Sequence, residues 1–182
     1  MATRNVRIYG DPVLREKAKA ILAFDDSLRT LVADLFETMA TYNGVGLAAN
    51  QVGVAQRVFV VDVPREDGTH DRFAVVNPVL SERKGKQKDE EGCLSMPGIA
   101  EDVERSLVLR LRGFDEQGNP IDRVVDGFLA RAVQHESDHL DGVLFTDRLS
   151  PLKKQFLRRD LDALARGEVP AGYHPGKPGQ DI

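Results

Sequence analysis

The chain has 182 residues, 41% of them hydrophobic and 30% charged, with a formal net charge of −4. Those proportions are ordinary for a soluble globular protein, and the length suits one domain, or one domain and a tail, with a core of its own. The acidic balance excludes general nucleic-acid binding, which needs a basic surface to pair with phosphates, and no sequence-specific nucleic-acid partner is expected.

The opening residues, Met1 to Arg7, carry no apolar core of the secretory kind, and no window is apolar enough to span a bilayer, so no membrane partner is expected. The single cysteine, Cys93, rules out an internal disulfide framework and suits a reducing compartment; the expected location is the cytoplasm.

Along the chain, a first helix is predicted from about Ser27 to Tyr42. Leu28, Leu31, Leu35 and Met39 recur at helical spacing, widened by Val32 and Phe36. Asp25 or Asp26 is placed to cap it and Gly44 to end it. The stretch Asn43 to Gly53 has too many glycines for a helix interior and too many apolar residues for a solvated loop. Val58–Val63 reads as a buried strand, and Phe73–Asn77 as another that ends at Pro78. Leu107, Leu109 and Leu111 alternate with Val108, Arg110 and Arg112 as in a half-exposed strand; Glu116 to Pro120 is a turn, and Ile121 to Val125 a return strand. A helix from about Gly127 to Leu140 follows, with Leu129, Val133 and Leu140 on one side and Gly142 as its stop. Ser150 and Pro151 open a last helix, whose apolar face is read as Leu152, Phe156, Leu157, Leu161 and Leu164. From Gly167 onward proline and glycine interrupt any regular structure, so residues 1–166 are expected to form one catalytic domain and 167–182 a flexible tail.

The chemistry is concentrated in three segments. In His135-Glu136-Ser137-Asp138-His139, residues four apart share a helix face, so two imidazoles can meet one metal ion with Glu136 beside them. Leu129, Val133 and Leu140 mark that helix as buried, where unpartnered imidazoles would be costly. A catalytic site built this way still lacks a ligand. After His139 the only glutamate is Glu168, at the edge of the Gly/Pro segment, a poor place to hold a ligand rigidly. Upstream, Cys93 in Glu91-Gly92-Cys93-Leu94-Ser95 offers a thiolate, a strong ligand for zinc or ferrous iron. A buried, inert cysteine is the bland alternative.

Together Gly44-Val45-Gly46-Leu47-Ala48-Ala49-Asn50-Gln51, Glu91-Gly92-Cys93-Leu94-Ser95 and Gln134-His135-Glu136-Ser137-Asp138-His139 resemble the three signature motifs of bacterial peptide deformylases, in the family's order and approximate spacing. The resemblance runs from the Gly10–Leu14 opening to about Leu149. It implies an α+β fold, with mixed or antiparallel β-sheets packed around a central metal-binding helix and a helix towards either end. It implies removal of the formyl group from formyl-methionyl nascent peptides, with release of formate. By that likeness Cys93, His135 and His139 bind one divalent metal, generally ferrous iron, with zinc, nickel or cobalt able to take its place and water in the fourth position. Glu136 would act as general base, and the Gln51 side-chain amide and the Leu94 backbone N–H as oxyanion donors. Val45, Gly46 and Gly92 would meet the peptide, and Val45, Phe128, Ala132 and the His135 ring would receive the methionine side chain. Arg131 falls either at that pocket's rim or in solvent. Lys153, Lys154, Arg158 and Arg159 form either a transient ribosome contact or a solvated face. The competing readings are a zinc endopeptidase with a distant carboxylate ligand, a cysteine hydrolase using Cys93, and a non-enzymatic module of the same fold.

Overall fold

The computed structural model describes residues 2–170. A five-stranded antiparallel sheet is formed by β1 (Gly46–Ala48), β2 (Val58–Pro64), β3 (His70–Lys84), β6 (Val108–Phe114) and β7 (Pro120–Asp126), in the order β1-β2-β3-β6-β7. A separate antiparallel ribbon pairs β4 (Gln87–Glu91) with β5 (Glu101–Arg105). The helices are α1 (Asp26–Thr41), α2 (Gly127–Leu140) and α3 (Pro151–Ala165). This is the expected α+β class, with α2 packed on β1 and β2.

Strand β2 shows why the arrangement closes. Its residues are apolar on both faces because both faces are covered. Val58 and Val60 join Leu28, Leu31, Leu35 and Met39 of α1 in one core, while Phe59, Val61 and Val63 join Leu129, Val133 and Leu140 of α2 in another. A third core gathers Leu14, Cys93, Met96, Ile99, Val103 and Phe145 with Leu161 and Leu164 of α3. The Asn43–Gly53 stretch resolves into β1 and a 3-10 turn, Ala49–Val52. Asp25, not Asp26, caps α1, accepting from the Leu28 N–H at 3.1 Å.

Three sequence expectations are corrected. Strand β3 does not end at Pro78 but continues to Lys84. Its pairing with β6 shifts register between Val76 and Val79, where Asn77 has φ 52°, and a proline without an N–H is tolerated at such an irregularity. The β4–β5 ribbon was not anticipated, because its strands are nearly all charged and show no apolar alternation. Helix α3 is rotated from its expected face. Leu157, Leu161 and Leu164 pack inward, while Leu152 and Phe156 are 62% and 74% exposed. A spacing of four and three fits 157, 161 and 164, and places 152 and 156 off that stripe. No helix among the described residues is long and apolar enough to cross a membrane. Of the expected tail, residues 171–182 lie outside the described residues.

The rotation of α3 gives a direct contrast. Leu164→Ala should cost about 2–3 kcal/mol of unfolding free energy, and Phe156→Ala less than about 0.5 kcal/mol. Urea denaturation of the two variants checks this, and equal losses would contradict the assignment of the buried face.

Candidate metal centre

Helix α2 is fixed at both ends before it carries any chemistry. At its start the Gly127 N–H bonds the Leu107 carbonyl at 3.0 Å. Past its end Gly142 has φ 71°, and a Cβ there would lie 2.8 Å from the Arg15 carbonyl carbon, so the close approach needs glycine. In its middle the Gln134 amide bonds the Ser106 backbone on both sides and accepts from Arg83 Nη1 at 2.8 Å. The next turn presents His135, Glu136 and His139, all buried.

The third ligand arrives on the loop joining β4 to β5. Met96 N–H bonds the Cys93 carbonyl at 2.9 Å and Tyr9 N–H bonds the Ser95 carbonyl at 2.8 Å, which holds the loop closed. Cys93 Sγ lies 3.3 Å from His139 Nε2, and His139 Nε2 lies 3.2 Å from His135 Nε2. A tetrahedral ion with ordinary Zn–N and Zn–S bond lengths spaces its ligands by about 3.4 Å for two nitrogens and about 3.6 Å for nitrogen and sulfur. The three donor atoms, all within 4.8 Å of one another, therefore fit a single cation. Burial acts to lower His135, but its bonds to Cys93 and Glu91 outweigh this and draw it well above its ordinary value. Burial and the charge of His135 push His139 well below its own.

Glu91 holds this arrangement together. It is buried, accepts from His135 Nδ1 at 3.0 Å and from Arg105 Nε at 3.0 Å, and meets Arg131 Nη1 at 3.1 Å. The bond to Nδ1 leaves Nε2 of His135 to face the other two donors. Burial would raise the Glu91 carboxyl, yet the hydrogen bonds from His135 and Arg105 outweigh it and hold the group at about 2. Arg105 continues to Asp138, which also takes two bonds from Arg148, so the chain of charges returns to α2.

Glu136 is the opposite case. Burial pushes it up to about 7, and its Oε2 has no hydrogen-bond partner. It occupies space that only a glycine leaves: a Cβ on Gly46 would sit 2.9 Å from the Glu136 Cδ. Beside it, Gln51 accepts from the Ala48 N–H at 2.9 Å, which turns its Nε2 towards Ser95 Oγ at 3.2 Å and Cys93 Sγ at 3.5 Å. Among the described residues the Leu94 backbone N–H makes no hydrogen bond. A cavity of about 40 Å³ next to His135 and Glu136 is lined by Val45, Gly92, Phe128 and Ala132.

The site residues named from the sequence thus come together, and the two residues discussed beside them are placed as well. Glu168 is exposed and paired with Arg166 at 2.8 Å, so it is no ligand. Arg131 is not in solvent: it is 3% exposed and lines the cavity beside His135 and Glu136. Sequence reasoning gave no role to Glu91, Arg105 or Ser95. A signal for the first existed: a ligand histidine needs a partner for its other ring nitrogen, and Glu91 stands two residues before the ligand cysteine.

Comparison with known proteins agrees with this geometry. A family model for polypeptide deformylase matches residues 3–155. A peptide deformylase of Alkalilimnicola ehrlichii is 46% identical over 178 residues, covering 97% of this chain and 99% of the relative. Peptide deformylase 1 of Corynebacterium glutamicum is 49% identical over 156 residues, 85% of this chain and 92% of the relative. Among solved structures, a peptide deformylase from Legionella pneumophila superposes with a TM-score of 0.82 at 40% identity, covering 92% of this chain and 98% of the other. One from Thermus thermophilus does so at 0.83 and 40%, covering 91% and 99%.

Removing the Glu91 charge should loosen the metal without dismantling the fold. Glu91→Gln is expected to weaken metal affinity about 10- to 100-fold, read by chelator competition; unchanged affinity would contradict the role given to this carboxylate. The sign with pH also follows. A carboxyl held at about 2 instead of its ordinary 4.5 stabilises the fold above pH 4.5, and loses that contribution as pH falls towards 2. The stability gap between wild type and Glu91→Gln should therefore narrow between pH 5 and pH 3 in thermal denaturation.

Proposed function

The chain belongs to the polypeptide deformylase family, and from that membership we infer how its own residues divide the work of a metallohydrolase that removes the N-terminal formyl group from nascent polypeptides. The observation that carries the reading is the convergence of Cys93, His135 and His139 beside a buried, unpartnered Glu136 oxygen. Cys93, His135 and His139 would hold one divalent cation; we take ferrous iron as the physiological one, with zinc, nickel or cobalt able to use the same donors. Such a cation supplies Lewis acidity, making water more acidic and drawing charge from the formyl oxygen.

The remaining steps belong to the protein. The free Oε2 of Glu136 takes the proton of the attacking water and passes it to the departing amine; a carboxyl near pH 7 is suited to both halves of that task. As the water attacks, the formyl oxygen gathers negative charge, and Gln51 Nε2 and the Leu94 N–H donate to it. The Ala48 N–H matters here, because its bond to Gln51 Oε1 decides which end of the amide faces the reaction.

The peptide has a place to lie. Strand β1 is an edge of the sheet, bonded to β2 on one side only, and an extended chain would pair with the main chain at the half-buried Val45 just before it. Gly92 lines both the cavity beside His135 and a larger one of about 340 Å³ next to Leu94 and Ile99. A main chain passing Gly92 would set its first side chain among Val45, Phe128 and Ala132, with the following residues towards the larger space. We propose cytoplasmic action on emerging chains. For a transient ribosome contact, Lys153 is already paired with Glu101, Lys154 bonds the Asp147 carbonyl and Arg158 faces Asp162 at 3.9 Å, which leaves Arg159, with the loosely paired Arg158, as the cations to offer.

The metal-loaded protein should release formate from formyl-Met-Ala-Ser, and lose that activity to a chelator; no formate from the loaded protein would overturn the reading. Glu136→Ala should keep its metal and lose about 10²–10⁴ in rate. Gly46→Ala should also keep its metal and lose activity, since its methyl group displaces Glu136; full activity in either variant would contradict the assignment of the base.

A further inference from the structure

The two oxyanion donors come from separate parts of the fold. Gln51 lies in the 3-10 turn that follows β1 of the main sheet, and Leu94 in the loop of the separate β4–β5 ribbon. Leu94 and Ser95 are the central pair of the turn that the Met96 N–H closes on the Cys93 carbonyl. Gln51 Nε2 reaches Ser95 Oγ and Cys93 Sγ, but these contacts use the amide hydrogens that the reaction itself needs. A stretch of chain from outside the three signature segments spans the gap instead. The Arg7 N–H bonds the Gln51 carbonyl at 2.7 Å, and two residues on the Tyr9 N–H bonds the Ser95 carbonyl at 2.8 Å. Between them Ile8 packs against the core that holds Leu94 and against the one that holds Cys93 and Met96. Both ends of the stretch are tied. Before it, the Arg4 N–H bonds Thr38 Oγ1 at 2.9 Å and Arg4 Nε bonds Asp34 Oδ2 at 3.0 Å, both on α1. After it, a Cβ on Gly10 would lie 2.8 Å from Ala165 Cα, so the chain runs hard against the end of α3.

We propose that Arg7 and Tyr9 are positioning residues for the reaction, whose main-chain N–H groups set the separation of Gln51 and Leu94. The proposal rests on the deformylase reading above and adds what holds its two donors in register. Donors to a developing charge must stand within hydrogen-bond range of one oxygen, and an error of about 1 Å costs about 10²-fold in rate. Covalent geometry makes the stretch a ruler, because Cα atoms two residues apart are separated by at most about 7 Å. The sheet and the ribbon can then shift only together.

The test is steady-state kinetics of the metal-loaded protein on formyl-Met-Ala-Ser. Proline has no N–H, so Arg7→Pro and Tyr9→Pro each remove one bond. Each should lower kcat about 10- to 100-fold, with KM within about twofold of the wild type and metal content unchanged. Arg7→Ala, which keeps the N–H, should restore most of the rate lost in Arg7→Pro. In a Gln51→Ala background Arg7→Pro should cost little more, because the donor it positions is already gone. A loss in Arg7→Pro that is as large with Gln51→Ala as without it, or one carried by KM, would mean a structural role only and overturn the proposal. So would wild-type kcat in both proline variants. In the wild type the Arg7 and Tyr9 amides should exchange slowly with deuterium; exchange at the rate of an unfolded peptide would overturn the proposal even if neither proline variant folds. No formate from the wild type would overturn the deformylase reading, and this inference with it.

Discussion

One buried carboxylate holds the two halves of the site in register. Glu91 ends β4, two residues before Cys93, and bonds His135 of α2 while Arg105 and Arg131 neutralise it. The cysteine ligand belongs to a ribbon that is separate from the main sheet, and the histidine ligands belong to a helix packed on that sheet. Apolar packing alone would leave the two free to slide by tenths of an ångström. Charged hydrogen bonds with fixed directions do not, and breaking one partner of such a buried group costs about 3–5 kcal/mol.

The site uses two buried glutamates in opposite ways. Glu91 is fully partnered and held at about 2, so it stays charged and structural. Glu136, one residue from a ligand histidine, has an unpartnered oxygen and is pushed up to about 7. Surroundings, not residue type, divide the roles, as is general where two carboxyls must do different chemistry in one cleft. The sheet contributes through what it leaves out. Gly46 on β1 vacates the volume that Glu136 fills.

Much of the centre was legible in the sequence because it follows from helix periodicity and ligand counting. Residues four apart must share a face of α2, and two histidines leave a catalytic metal short of a ligand that Cys93 supplies. Helix α2 begins and ends where its pattern predicts. Other features had no local signal. The β4–β5 ribbon is charged along its length and is held by arginines from elsewhere in the chain, so neither alternation nor hydropathy announces it. The face of α3 was misjudged because five large apolar residues on fifteen positions permit more than one stripe, and only packing against Leu14 and Ile99 selects 157, 161 and 164. Arg131 was left between the pocket's rim and solvent, since burial of a cation depends on acceptors forty residues away. The reason for Gly46 is likewise a contact between β1 and α2 that no neighbouring residue reveals.

The central claim is that a thiolate from the β4–β5 loop and two imidazoles from α2 share one ion. Cobalt substitution tests it most directly, because a cobalt–thiolate bond gives an intense near-ultraviolet charge-transfer band that oxygen and nitrogen ligands do not. The wild-type protein loaded with cobalt should show that band, and Cys93→Ser should lose it. A cobalt-loaded wild type without the band, or a Cys93→Ser variant that retains it, would contradict the ligand set on which the account stands.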